Sequence, residues 1–87
     1  CTHPTHPGPY RITMQGSRSE DYDKANLKAR IPYTPDNYTW HHKEGVIFHS
    51  RNNIECDMYL IKTSYHGKIR HRGGVYEYER LTGNEYR

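Results

Sequence analysis

The sequence predicts a small α+β domain in which a β-hairpin feeds a short helix. Three features carry this reading. One stretch near the N-terminus repeats at helical spacing, three later runs are β-branched and aromatic with turn formers between them, and a histidine-bearing stretch closes on Gly73-Gly74. Eighty-seven residues make one domain, and a chain of that length buries only about 60–65% of the surface its unfolded form exposes. Hydrophobic residues are 32% of the total and nine of them are tyrosines, which keep a polar tip. The core is therefore thin, and a bound metal would add to its stability.

Residues 1–9 (CTHPTHPGP) read as an extended leader with solvated His3 and His6, ahead of a single domain over 10–87. Cys1 at the start suggests a piece of a longer protein. Tyr10-Arg-Ile-Thr-Met14 alternates weakly, as a short strand does. Ser17-x-x-Glu20 has capping-box spacing, and Tyr22, Ala25, Asn26 and Ala29 follow at helical intervals, so a helix is expected over about 18–30. Lys28 and Arg30 complement its dipole and Pro32 stops it. Tyr38-Thr-Trp-His41, Val46-Ile-Phe-His49 and Cys56-Asp-Met-Tyr-Leu-Ile61 are strand candidates, with a turn at Arg51-Asn-Asn53. Thr63 or Ser64 can cap a short helix carrying His66, which Gly73-Gly74 would end. Val75–Tyr78 reads as a last strand, and the tail from Glu79 is polar.

The formal net charge of +3 is mildly basic, and Lys62, Lys68, Arg70 and Arg72 concentrate it around the later histidines. That placement suits a polyanionic partner. Charged residues, at 26%, are too balanced in sign for an obviously disordered chain. Cys1 and Cys56 fit neither a paired metal motif nor a disulfide framework. No apolar run approaches membrane-spanning length, and there is no signal-peptide core.

Four of the seven histidines fall in two clusters, Trp40-His41-His42 and His66-Gly-Lys-Ile-Arg-His71-Arg-Gly-Gly. Imidazole is both a borderline-soft metal ligand and the side chain best tuned for proton transfer near neutral pH. Adjacent strand residues point to opposite faces, so His41 and His42 are not expected to bind one ion together; if the strand ends there they can take different tasks around one site, one ligating and the other accepting a proton. A structural zinc site would use all four ligands and leave no open position. His66 and His71, five apart, lie roughly 140° from each other on a regular helix. They share a face only if the helix ends or bulges first; otherwise His66 ligates alone and His71 contacts phosphate.

Gly16–Asn26, Thr34–His42, Met58–Ile61 and His66–Gly74 together resemble the WHH branch of the HNH, or ββα-metal, nucleases, over roughly residues 16–76. The resemblance implies a ββα-metal domain with an additional N-terminal helix, acting as the C-terminal toxin domain of a bacterial polymorphic or contact-dependent inhibition system. It further implies His42 as general base, with His41, His66 and His71 as ligands of one divalent ion. Zinc suits these ligands best, with magnesium, nickel or manganese as options. The middle HNH residue, which orients the base, has no clear counterpart; Asp57 stands at a suitable spacing. Lys68, Arg70 and Arg72 would grip the backbone, with DNA favoured over RNA. A toxin of this kind implies a cognate immunity protein, and delivery from the producing cell to the target-cell cytoplasm. Two departures stand out: an apparent hairpin insertion over Val46–Glu55, which also holds His49, and Lys43 where a further histidine is common.

Two rival readings make different predictions. A non-catalytic, zinc-stabilised nucleic-acid-binding module would use both His41 and His42 structurally, or recruit Cys56. A metal-independent ribonuclease would pair His42 with His71 as acid and base, ignore chelators and need a ribose 2′-hydroxyl.

Overall fold

Ten residues, Asn53–Lys62, form the strand on which the rest of the sheet pairs. The computed structural model describes residues 2–66 and 73–87, and of His66 the backbone alone. Its elements in chain order are β1 (Tyr10–Thr13), α1 (Arg18–Ala29), β2 (Tyr38–His42), β3 (Ile47–Ser50), β4 (Asn53–Lys62), α2 (Thr63–His66) and α3 (Gly74–Thr82). Antiparallel β1 runs along one edge of β4, from Tyr10↔Met58 to Thr13↔Glu55. On the other edge β2 pairs from Tyr38↔Lys62 to His42↔Met58, and β3 from Ile47↔Glu55 to Ser50↔Asn53. Strands β2 and β3 thus lie end to end, interrupted at residues 43–46. The apparent insertion over Val46–Glu55 forms the far end of this same hairpin.

Alternation along β4 buries Ile54, Cys56, Met58 and Leu60 and leaves Glu55, Asp57 and Tyr59 half-buried on the opposite face. Ile12, Met14, Ala25, Ala29, Trp40 and Tyr86 complete the core, so α1 covers one face of the sheet. Helix α1 has the expected bounds but not the expected cap. Ser17 is extended and makes no side-chain cap bond; its Oγ lies 3.1 Å from that of Ser19. Arg30, in the left-handed region at φ 60°, closes the helix with its N–H directed at the Asn26 and Leu27 carbonyls.

Two expectations are corrected. Val75–Tyr78 is helical, inside α3, and not a strand. Gly73-Gly74 opens α3, with Gly73 as its N-cap, where a helix end was expected. The physical reason is close approach: a Cβ on Gly73 would stand 2.6 Å from the His42 carbonyl oxygen, and one on Gly74 would stand 2.7 Å from the Cys56 Sγ. Glu77, one turn in, accepts the Gly45 N–H and, at 3.4 Å, the Val46 N–H, which fastens α3 to the break between β2 and β3. The polar tail reaches back to the core. Tyr86 is 4% exposed, and Arg87 exchanges backbone bonds with Gly16 and Arg18 at 2.9 and 3.0 Å.

The N-terminal stretch read as a leader also packs on the sheet. The His3 N–H donates to the Leu60 carbonyl at 2.8 Å, the Leu60 N–H donates to Pro7 at 3.1 Å, and the His3 ring meets Tyr38 edge-on at 4.6 Å. Strand β1 ends its pairing at Met58, so this segment satisfies the remaining edge of β4. Among the described residues, no helix is long and apolar enough to cross a membrane.

Burial sets a pH dependence. The Cys56 thiol is pushed up to about 12, chiefly by burial, with Asp21, Asp57 and Glu77 adding to it. Burial, and then its bond to Asp21, likewise raises the Tyr86 phenol above its ordinary 10.0. The folded chain keeps both protons at pH values where the unfolded chain has released them. This stabilisation is complete below the thiol's ordinary 9.0 and is lost as pH rises above it. Denaturant titrations between pH 8 and 11 should show stability falling, with a shallower slope in a Cys56→Ala, Tyr86→Phe double variant. Equal slopes would refute the assignment.

Candidate active site

Strand β2 ends in Trp40-His41-His42, and its alternation divides the three side chains between the two faces of the sheet. Trp40 and His42 turn inward beneath α1, at 0% and 6% exposure. His41, opposite Tyr59 in the register, lies half-buried on the other face.

Helix α1 meets the two inward side chains with two polar groups of its own. The Trp40 indole N–H donates to the Asn26 Oδ1 at 2.7 Å, and the Asn26 amide donates to the Thr34 hydroxyl at 3.2 Å. The His42 Nε2 lies 2.8 Å from the Asp21 Oδ2. Asp21 is fully buried, a placement that costs several kcal/mol unless the carboxylate is well bonded. It is well bonded: Oδ1 accepts the Gln15 N–H at 2.8 Å, and Oδ2 also accepts the Tyr86 hydroxyl. The His42 ring packs against Tyr22 at 6.1 Å and, edge-on, against Tyr86 at 5.7 Å.

This geometry corrects the expectation for Asp57. Its carboxylate accepts from the Arg11 guanidinium at 2.9 and 3.4 Å and holds that cation's pKa above its ordinary value. Alternation along β4 puts Asp57 on the face of His41, away from His42, so it cannot orient that ring. Asp21 is the carboxylate at His42.

The connection that carries the second histidine cluster starts and finishes at opposite ends of β2. The Thr63 N–H donates to the Asn37 carbonyl at 2.9 Å, beside the first residue of β2. Gly73 lies against the strand's last residue, with its Cβ position 3.6 Å from the His41 Cε1. His66 closes α2 within this connection. Its side chain, and His71, Lys68, Arg70 and Arg72 entirely, lie outside the described residues. Among the described residues no three His, Cys, Asp or Glu groups gather as a metal site. Of the three expected ligands, His41 alone has a described side chain, and it stands beside Gly73. A nitrogen-only imidazole set suits the chemistry of zinc or another transition ion.

Other candidates fall away on their contacts. His49 pairs with Glu55 at 3.0 Å on the outer part of the hairpin. Cys56 is a core thiol held against the Lys43 carbonyl at 3.4 Å, and its raised pKa opposes the thiolate that a metal requires. Local sequence patterns do not mark Asp21, Asn26 or Tyr86 as site residues. Asp21 could have been found, because it falls in one helical row with Ala25 and Ala29, four and eight residues on. Nothing in the sequence around Tyr86 marks it as inward-facing.

Residues 32–80 match the family model of WHH, described as a nuclease of the HNH/ENDO VII superfamily with conserved WHH. No curated protein and no solved structure matches the chain.

Proposed function

The chain belongs to the WHH family of HNH/ENDO VII nucleases and so hydrolyses phosphodiester bonds in nucleic acid, and we propose that it does so as a metal-dependent, nonspecific endonuclease, favouring DNA, that serves as the toxin domain of a bacterial antagonism system. The division of the histidine doublet carries the mechanistic part of this reading. Adjacent imidazoles with the same task would need one face, whereas here His42 lies inward against Asp21 and His41 outward beside Gly73.

In the mechanism His42 is the general base that takes a proton from the attacking water. His41, His66 and His71 would hold the ion. When bound, a divalent ion supplies positive charge to the transition-state phosphate and to the departing 3′ oxygen. Lys68, Arg70 and Arg72 would hold the flanking phosphates, contacts that carry no sequence information. DNA is favoured by the family resemblance alone. The toxin reading brings with it delivery into a target cell and a cognate immunity protein, acidic to complement the basic segment.

Plasmid nicking by the purified domain tests the reading. Nicking should require a divalent ion and stop with a chelator. About three phosphate contacts should weaken substrate affinity roughly forty-fold between 50 and 200 mM salt. Chelator-resistant cleavage would overturn metal dependence, and cleavage of RNA alone would overturn the substrate assignment.

A further inference from the structure

We infer that Asp21 is the positioning residue for His42, with Tyr86 and the Gln15 amide fixing Asp21 in turn. The inference rests on the reading of His42 as the base and adds what makes it one. Asp21 receives a backbone N–H from Gln15 and a phenol O–H from Tyr86, and the phenol stays protonated well above neutral pH. A carboxylate bonded by two such donors acts as an acceptor, so the His42 nitrogen 2.8 Å away must present its N–H. The proton therefore sits on Nε2 and the basic lone pair on Nδ1.

A positioning carboxylate also fixes ring orientation. His42 is held at Nε2 by Asp21 and flanked by the Tyr22 and Tyr86 rings. All three groups come from outside the hairpin. Asp21 is in the first turn of α1, and Tyr86 is clamped at the helix start, where the Arg18 guanidinium reaches its carbonyl at 3.4 Å. The orienting role therefore belongs to the N-terminal helix and the last residues described, not to β4.

The test uses Asp21→Asn and Tyr86→Phe beside His42→Ala in the whole chain. It measures kcat and KM for nicking, thermal stability, and the His42 ring-nitrogen NMR shifts of the metal-free protein at one pH where the ring is neutral. The wild-type ring should be the Nε2–H tautomer. Asp21→Asn should shift that population and lower kcat about 10²-fold with KM within about twofold, as loss of an orienting partner does. Tyr86→Phe should lower kcat several-fold. The Asp21→Asn, His42→Ala double variant should be no slower than His42→Ala alone. An Nδ1–H tautomer in the wild type would overturn the proposal, whether or not any variant folds. So would an Asp21→Asn enzyme of wild-type kcat alongside an inactive His42→Ala. An active His42→Ala would instead overturn the reading of His42 as base.

Discussion

Replacing His42 by Ala should cut nicking by about 10²–10⁴-fold, the usual contribution of a general base, and leave the domain folded. Folding should survive because Asp21 keeps the Gln15 amide and the Tyr86 hydroxyl when the imidazole goes. The stability lost should be about 1–3 kcal/mol, the cost of weakening one buried polar partnership. Single-turnover cleavage and a circular dichroism melt on the same preparation separate the two effects. A rate above a tenth of wild type would remove His42 from the chemistry. A melt showing an unfolded chain would move the argument to His42→Gln, which keeps much of the side-chain volume.

Trp40→Ala should instead act on the fold. Trp40 is fully buried in the core, so its truncation should cost about 3–5 kcal/mol. It would also take the indole N–H from the Asn26 Oδ1, leaving that oxygen the longer bond from the Thr34 hydroxyl at 3.4 Å. Small domains have only about 5–15 kcal/mol of stability in all. The variant should therefore be marginal at 37 °C and lose activity in step with its folded fraction. Urea unfolding followed by circular dichroism checks this, because the sole tryptophan is the residue removed. A loss below about 1 kcal/mol would mean the core closes without it.

Much of this was legible from local patterns. Strands β1 to β4 follow β-branched and aromatic runs, and α1 follows its periodicity, because in each case the local preference agrees with the face that packs. Where packing overrides preference, the sequence misled. Val75–Tyr78 is too short to tell strand from helix by composition, and its helical state depends on Gly73 and Gly74 letting α3 start against β2. Gly-Gly reads equally well as an ending. Asp57 had suitable spacing but the wrong parity: one residue along a strand changes face, and Arg11 waits on that side. Asp21 is an acid in the first turn of α1, and acidic residues are almost never fully buried unless paired. Its partners, Gln15 and Tyr86, lie 6 and 65 residues away, beyond any local pattern.

The pairs Asp21–His42 and Asn26–Trp40 act together as a ruler. Five residues along a helix rise about 7.5 Å, and two along a strand span about 6.6–6.8 Å. The helix carries its acid and its amide at very nearly the pitch at which the strand carries histidine and tryptophan, in opposite chain directions. Sliding β2 by one residue against α1 would break both bonds at once and turn His41 inward. The motif is thus measured as well as bonded: one residue added or removed between Asp21 and Asn26 would cost the domain its alignment even if every functional group remained.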